Sequence, residues 1–414
     1  QGLVYLADAE ERAKRLFVVS AGNVDDLGLK HLDRSDVEPI EDPGQAWNAL
    51  TVGAYTTKVH IDPTDPTLNG WSPLAQDGEL SPYSKTSVLF EPQWPVKPDV
   101  VLEGGNRGYE EGSNHAVQVD CLSLLTTNAN MAQGLVTPTW GTSPAAAEGA
   151  RLAMQIAHRY PSYWPETIRG LIAHSADWTP VMRGNLPKGA GRKAKLALLR
   201  RYGYGVPSLE RALKSATNSL TLIAQARIRP FAEGKFREIR FYDLPWPKEV
   251  LFDLGKETVK MRVTLSYFIE PNPGRRGWRL KHRYASHGLR FDVKGPQESI
   301  DTFEKRLNDL ALAEEEDQPK AQHDDLWYFG ADARKKGSLH SDIWEGTAAD
   351  LATSGVIAVV PTSGWWKDQP ARDRSGLGAR YALLVSIETA AEDVDIYTPV
   401  ATELQIPIDV QIET

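Results

Sequence analysis

Residues 137–157 read TPTWGTSPAAAEGARLAMQIA, a Pro- and Thr-rich loop that leads directly into a run of small residues. The small apolar residues recur at helical spacing from Ala145 to Ala157, which predicts a helix that can pack closely on several sides. Ser143 stands at the start of this helix, where free backbone N–H groups and the positive end of the helix dipole meet. An oxyanion that forms beside the Ser143 hydroxyl would be stabilised by the N–H of the same residue. The stretch therefore indicates a central helix with a candidate nucleophile at its N-terminus.

The same triplet, Gly141-Thr142-Ser143, also has a simpler interpretation. Serine and threonine are favoured at helix N-caps, where the side-chain oxygen accepts a backbone N–H. On the triplet alone, capping is the more common role for Thr142 or Ser143. The choice between the two interpretations depends on the rest of the chain.

Strands and helices alternate over the first 217 residues, which predicts an α/β architecture. Short apolar runs predict strands and amphipathic runs predict helices. The strands are residues 16–20, 49–55 and 97–102, and the helices are residues 3–16 and 166–175. Because buried strands that alternate with helices are typical of parallel sheets, we expect a parallel sheet with flanking helices. Residues 62–93, rich in Pro, Gly, Ser and Asn, are predicted to be surface loops.

Four motifs occur in order along this half of the chain. They are Val18-Val19-Ser20-Ala21-Gly22-Asn23, Lys97-Pro98-Asp99-Val100-Val101, Gly141-Thr142-Ser143 and Tyr202-Gly203-Tyr204-Gly205-Val206-Pro207. Together they resemble the subtilisin-like serine peptidases (subtilases, peptidase family S8), and the resemblance covers roughly residues 1–217. It implies that this segment is the C-terminal portion of a subtilase catalytic domain, with a partial subtilisin-like parallel sheet.

Carried over by position, the resemblance also implies the roles of site residues. Ser143 would be the nucleophile, and the side chain of Asn23 would donate a hydrogen bond to the oxyanion. Ser20, Ala21 and Gly22 would form one wall of the pocket for the residue that precedes the scissile bond. The implied activity is that of a serine endopeptidase that hydrolyses a protein or peptide substrate and needs no cofactor.

The chain departs from the family pattern in two places. A proline follows Ser143 directly, at Pro144, whereas the family places it a few residues later; at the first helical position a proline is favourable in itself. The larger departure concerns the catalytic Asp and His, which the family carries in D-[ST]-G and H-G-T-H motifs ahead of the Ala-Gly-Asn segment. Neither motif occurs in this sequence. We therefore expect this chain to be the C-terminal part of a longer protein that carries both residues upstream, and the chain alone to be inactive.

Four histidines are candidate replacements for the missing base. His115, His174, His287 and His340 are interpreted as structural or surface residues, because a triad is set by geometry in space and not by neighbouring positions in sequence. The absence of the Asp and His motifs motivates a second hypothesis of a different class. In it, the protein is a non-catalytic binding or scaffold protein that retains the subtilase fold.

The pattern changes at about residue 216, and residues 218–414 are predicted to form a separate, mainly β domain. Strand-like runs, several with period-two alternation, are distributed along this half of the chain. They are residues 219–228, 259–269, 288–293, 355–360 and 381–388. Residues 299–315 interrupt them as an amphipathic helix, and residues 314–325 read as an acidic connector. The expected form is a sandwich-like domain with one helical insertion.

Composition excludes several classes of protein. The formal net charge is −8, and the basic residues of the 183–201 segment, Arg192, Lys193 and Lys195, are interpreted as part of a solvated loop or helix and not as a nucleic-acid patch. No apolar run is long enough to span a bilayer, so no membrane partner is expected. The motifs of metal sites are also absent.

The cysteine content bears on the cellular compartment. Cys121 is the single cysteine, so no intrachain disulfide can form, which favours a reducing, cytoplasmic location. There, a protein partner such as an ATPase is a further expectation for the β-rich half.

Overall fold

The computed structural model describes residues 15–26, 28–213, 219–272, 284–315, 326–368, 378–389 and 408–411. The predicted helix at residues 3–16 and the acidic connector at residues 314–325 therefore lie almost entirely outside the described residues. Short strands fill the first half of the chain. They are β1 Val18–Ser20, β2 Leu50–Thr56, β3 Trp71–Pro73, β4 Glu79–Leu80, β5 Val100–Glu103, β6 Arg107–Glu110, β7 Val117–Gln118, β8 Leu124–Thr127 and β9 Val136–Thr139.

Longer strands dominate the second half, and helices occur throughout. The strands are β10 Ser219–Ile228, β11 Phe231–Ala232, β12 Lys235–Phe236, β13 Glu238–Asp243, β14 Thr258–Tyr267, β15 Gly288–Val293, β16 Leu339–Thr347, β17 Val356–Thr362, β18 Ala379–Thr389 and β19 Ile408–Gln411. The helices are α1 His31–Val37, α2 Thr142–Arg159, α3 Pro165–His174, α4 Pro180–Gly184, α5 Arg192–Tyr202, α6 Leu209–Leu213, α7 Lys248–Leu254, α8 Ile300–Glu315, α9 Ala348–Thr353 and α10 Trp365–Asp368. The α/β class with further β-sheets that the sequence predicts is confirmed.

The described residues fall into two compact units. The first unit comprises Leu16–Ser162 and Ser175–Ala212. The second unit contains Tyr163–His174 and the described residues from Leu213 onward. Helix α3 thus belongs with the β-rich half, although it precedes residue 217. The domain boundary that the sequence places after residue 217 stays a prediction.

The first unit is built on a parallel core. Strand β2 pairs in parallel with β1 and β5, and antiparallel with β4. Helix α2 packs across the three parallel strands. Gly149 makes the close approach possible, because a Cβ built on it would lie 3.0 Å from Cγ2 of Val52 and 3.4 Å from Cγ1 of Val18. This packing fixes the N-terminus of α2 at the edge of the sheet where the predicted site residues lie.

The segment of the first unit that carries many basic residues forms helices α4 and α5. Arg192 and Lys193 are exposed and Lys195 is half-buried, whereas Arg200 is buried and donates to the carbonyl oxygen of Ser87 at 3.1 Å. Burial lowers the pKa of Arg200 to about 10. The last turn of α5 therefore packs into the core of the first unit.

The second unit contains two four-stranded antiparallel sheets, ordered β10-β18-β14-β16 and β15-β17-β13-β19. Helix α8 covers the second sheet, where Phe303 and Leu307 join an apolar cluster with Phe241 and Val360. Helix α3 packs on strands β14 and β18 of the first sheet. The sandwich arrangement of the two sheets stays a prediction. Among the described residues, no helix has the length and hydropathy to cross a bilayer.

Candidate active site

Gly141, Thr142 and Ser143 lie where strand β9 gives way to helix α2. The N–H of Gly141 donates to the carbonyl oxygen of Gly104 at 2.7 Å, which ties the start of the helix to the loop after β5. Thr142 is fully buried, and Ser143, one residue further, is exposed. The Ser143 hydroxyl has no hydrogen-bond partner among the described residues. Helix α2 therefore presents this hydroxyl to solvent from its first turn.

Asn23 is joined to this helix start through Thr142. The Oδ1 atom of Asn23 accepts from the backbone N of Thr142 at 2.8 Å and from its Oγ1 at 2.9 Å. The same Thr142 hydroxyl accepts from the N–H of Gly22 at 3.1 Å. Because Oδ1 is held by two donors, the orientation of the amide is fixed, and the Nδ2 group has no acceptor in the part of the chain that the structure describes. The arrangement directs an amide N–H away from Thr142 at the N-terminus of α2.

Both the backbone conformation at position 141 and the neighbouring Asn23 side chain require a glycine there. Its φ is +95°, in the region where only glycine is unstrained. A Cβ built on Gly141 would lie 2.7 Å from Oδ1 and 2.8 Å from Nδ2 of Asn23. The Asn23 amide thus lies flat against the Gly141 backbone, and a side chain at Gly141 would displace it.

Gly104 is a site residue that the sequence reasoning missed. A Cβ on Gly104 would lie 2.4 Å from the Cβ of Ala54 and 2.9 Å from the carbonyl oxygen of Gly141. Only glycine allows this loop to approach both β2 and the helix start. The pair Gly104-Gly105 after a predicted strand was the available signal, since paired glycines there indicate close backbone approach.

The turn that carries Asn23 is held on both sides by backbone hydrogen bonds. Ala21 donates to the carbonyl oxygen of Val52 at 2.9 Å, and Val24 donates to that of Tyr83 at 2.9 Å. On the far side, Arg107 donates to the carbonyl oxygen of Val24 at 2.9 Å. Ser20 and Gly22 are half-buried and Ala21 is buried, so the predicted pocket residues lie in this rigid turn. Their contact with substrate stays a prediction.

The Lys97-Pro98-Asp99 motif has a structural role. Lys97 and Asp99 form a buried ion pair with Nζ and Oδ2 2.7 Å apart, and their side chains are 1% and 3% exposed. Oδ2 of Asp99 also accepts from the N–H of Thr51 at 2.7 Å, and Lys97 donates to the carbonyl oxygen of Ala49 at 3.0 Å. The motif therefore fastens the start of β5 to β2.

The four candidate histidines are bound elsewhere or exposed. His174 lies between Thr264 and Ser386, with hydrogen bonds of 2.8 Å and 2.9 Å. His287 and His340 are also buried in the second unit; they contact Ser286 and the carbonyl oxygen of Gly337. His115 is exposed in the first unit. Within the described part of the first unit, His115 is not hydrogen-bonded to Ser143.

Pro144, which departs from the family pattern, does not disturb the backbone hydrogen bonds of α2. The sequence predicts this proline at the first helical position, but α2 begins at Thr142, so Pro144 is its third residue. The first four residues of a helix have N–H groups without intrahelical partners, and a proline there sacrifices no bond. The side chains of Thr142 and Ser143 do not cap the helix. Gly141 is the N-cap residue, and the Thr142 hydroxyl is hydrogen-bonded to Asn23 and Gly22.

The site as described combines an exposed serine hydroxyl with amide donors. The N–H of Ser143 at the helix N-terminus and Nδ2 of Asn23 are of the type that stabilises a developing oxyanion in acyl transfer. Among the described residues, no cluster of three His, Cys, Asp or Glu side chains could hold a metal ion. The groups that are present therefore suit nucleophilic attack on a carbonyl carbon, given a base to accept the serine proton.

Comparison with known proteins agrees with this chemistry. Residues 3–205 match the subtilase family, peptidase family S8. A search of curated proteins found no match to the sequence.

Among solved structures, MycP1 with its N-terminal propeptide removed is 20% identical, with 49% of this chain and 51% of that chain aligned at a TM-score of 0.25. MycP1 from Mycobacterium smegmatis is 19% identical, with 48% and 42% aligned at a TM-score of 0.24. The chain spans about half the length of the structures it matches.

Proposed function

Because residues 3–205 belong to the subtilase family of serine peptidases, we propose that the protein is a serine endopeptidase with Ser143 as its nucleophile and Asn23 as a donor to the oxyanion. The observation that carries this proposal is the pair of hydrogen bonds from Thr142 to Oδ1 of Asn23. They leave Nδ2 as the free donor at the same helix start that presents the Ser143 hydroxyl.

In the proposed reaction, Oγ of Ser143 attacks the carbonyl carbon of a peptide bond while a base takes the hydroxyl proton. The carbonyl oxygen becomes an oxyanion, which accepts hydrogen bonds from the N–H of Ser143 and from Nδ2 of Asn23. Collapse of this intermediate expels the amine, which takes up the proton, and leaves an acyl ester on Ser143. Water then hydrolyses the ester by the same steps in reverse order.

The proposal assigns positioning roles to the residues around the two donors. Thr142 fixes the orientation of the Asn23 amide, and Gly141 leaves the space in which that amide lies. Ser20, Ala21 and Gly22 are proposed to line the pocket for the substrate residue before the scissile bond. The rigid backbone bonding of their turn supports this role, since a subsite needs fixed walls.

Hydrolysis of an internally quenched peptide library tests the proposal. The protein is expressed from its complete gene, so that any sequence upstream of Gln1 is included. Wild type should cleave the library, Ser143→Ala should not, and Ser113→Ala should cleave like wild type, since among the described residues the Ser113 hydroxyl bonds only to the backbone of His115. Asn23→Ala should lower kcat by about 10²–10³-fold, the loss that follows removal of an oxyanion donor in subtilisin. Equal activity of wild type and Ser143→Ala would contradict the proposal.

The second candidate is a non-catalytic binding or scaffold protein. It follows if no peptide is cleaved and the complete gene encodes neither of the family's Asp and His motifs. A cytoplasmic location and an ATPase partner stay predictions under either function.

A further inference from the structure

The hairpin of strands β8 and β9 exposes an unusual amount of apolar surface. Leu125 is 71% exposed, Met131 and Leu135 are each 75% exposed, and Val136 is 56% exposed. Large apolar side chains clustered on one element of a soluble protein mark an interaction site more often than scattered ones do. This 124–139 hairpin is therefore a candidate binding surface.

The strand register shows that two of the exposed side chains, Leu125 and Val136, share one face. Leu125 is opposite Pro138, and Thr127 is opposite Val136, so these four residues lie on the same face of the hairpin. Leu124 lies on the other face, where its Cδ1 is 3.6 Å from the position of a Cβ on Gly105. The Leu124 side chain thus contacts the rest of the first unit, whereas Leu125 and Val136 on the opposite face are exposed.

Charge limits what can cover this face. Residues 121–147 contain no Asp, Glu, Lys or Arg, whereas 25% of the whole chain is charged. A charged partner segment would be desolvated against this surface without an ion pair, which is costly. The complementary occupant is therefore uncharged and apolar.

The hairpin is continuous with the proposed active site. Trp140, 38% exposed, follows β9 and immediately precedes Gly141. Its ring lies 6.4 Å from that of Tyr83, and the carbonyl oxygen of Tyr83 accepts from Val24, the neighbour of Asn23. A polypeptide bound at Ser143 would therefore lie within a few residues of the open face.

The backbone of the hairpin also suits an extended ligand. Among the described residues, β8 and β9 pair only with each other, so the outer edge of each strand has main-chain groups for a further strand. Addition of an extended peptide to such an edge combines main-chain hydrogen bonds with side-chain contacts on the faces.

We infer that the open face of the 124–139 hairpin, with Leu125 and Val136, and the exposed Met131 and Leu135 of its connecting segment bind an uncharged, extended apolar segment of the protein substrate beside the scissile bond. The inference rests on the proposed peptidase function, because it takes the occupant to be substrate. It gives the substrate class as polypeptides with exposed apolar segments.

Binding of two peptides to the 414-residue chain tests the inference. One is a fluorescein-labelled twelve-residue peptide of alternating leucine and threonine, and the other has every leucine replaced by glutamate. Fluorescence anisotropy should show that the leucine peptide binds and that the glutamate peptide binds at least tenfold more weakly. The double variant Leu125→Ser/Val136→Ser should bind the leucine peptide at least tenfold more weakly than wild type.

The matched control is the double variant Leu89→Ser/Met154→Ser, whose two residues are 60% and 64% exposed in the same unit. It should bind the leucine peptide like wild type. Unchanged affinity of the hairpin variant, or an equal loss in the control, would overturn the inference. Dissociation of a dimer by the hairpin variant in sedimentation, without loss of peptide binding, would also overturn it, because a second copy would then be the occupant.

The Ser143→Ala variant separates this inference from the proposed function. It should bind the leucine peptide like wild type, because the hairpin and not the hydroxyl carries the binding. Cleavage that depends on Ser143, together with normal peptide binding by the hairpin variant, would refute the hairpin inference alone. Loss of binding in the hairpin variant without any Ser143-dependent cleavage would refute the peptidase function, and with it the identification of the occupant as substrate.

Discussion

Thr142 is the residue on which the geometry of the site depends. Its backbone N–H and its hydroxyl both donate to Oδ1 of Asn23, and its hydroxyl also accepts from Gly22. A single buried threonine thus links the turn after β1 to the start of α2. Because Oδ1 is held in this way, Asn23 can offer only an N–H to a ligand, which is the polarity that an oxyanion needs.

Replacement of Gly141 by alanine tests the contact between this residue and Asn23. Gly112 provides the control, because its φ is +83° and nothing lies within 4 Å of the Cβ position. Gly112→Ala should lower the free energy of unfolding by about 1 kcal/mol through backbone strain alone. Gly141→Ala should lower it by at least about 1 kcal/mol more, since its Cβ would also collide with the Asn23 amide. Equal losses in urea denaturation would show that Asn23 does not pack against Gly141.

His31 should make the stability of the protein depend on pH. Burial lowers the pKa of His31 from its ordinary value near 6.5, and Glu79 opposes this effect while Arg201 adds to it. As the pH falls below about 6.5, the unfolded chain takes up this proton before the folded protein does, so the free energy of unfolding falls until the folded pKa is passed.

The variant His31→Gln removes this contribution. Its free energy of unfolding, measured by urea denaturation between pH 7.5 and 5, should fall less steeply with decreasing pH than that of wild type. The same slope in both proteins would contradict the assignment of this titration to His31.

At the scale of elements, helix α3 is the clearest departure from what its sequence suggests. Arg169 is fully buried; it donates from Nε to Ser266 Oγ at 3.1 Å and from Nη2 to the carbonyl oxygen of Tyr267 at 2.7 Å. Glu166, also fully buried, pairs with Arg380 at 2.6 Å. Gly170 lets the helix approach the sheet, because a Cβ there would lie 2.7 Å from Leu384 Cδ1. Polar and packing contacts together bind α3 to the sheet of the second unit.

Arg169→Ala should therefore be strongly destabilising. It leaves buried carbonyl and hydroxyl groups without their donor, and we expect the free energy of unfolding to fall by at least about 3 kcal/mol. The control is Arg151→Ala on α2, whose side chain is 58% exposed and pairs with Glu148 at the surface. That change should cost less than about 1 kcal/mol in urea denaturation. Similar losses for both variants would contradict the buried role of Arg169.

At the scale of the whole molecule, the sequence predicts elements best where their apolar pattern is continuous. Strands β10 and β15 coincide with the predicted residues 219–228 and 288–293, and α8 begins one residue after its predicted start. Each of these elements has one face that is consistently apolar, so periodicity alone locates it.

The grouping of α3 with the second unit could not be predicted in the same way. Glu166, Arg169 and His174 read as solvent-facing residues in sequence, and only partners far along the chain reveal that they are buried. The site shows the same limit. Motifs point to Asn23 and Ser143, but the bonds that join Asn23 to Thr142 connect residues 119 positions apart, which no local pattern encodes.

Labelling with a fluorophosphonate probe tests the proposal that Ser143 is the nucleophile of a subtilase. The protein is expressed from its complete gene, treated with the probe and digested, and the modified residue is identified by mass spectrometry. We expect a single adduct on Ser143, much slower labelling of Asn23→Ala, and no adduct on Ser143→Ala. Folded protein that carries no adduct on Ser143, or that is labelled equally well when Ser143 is alanine, would contradict it.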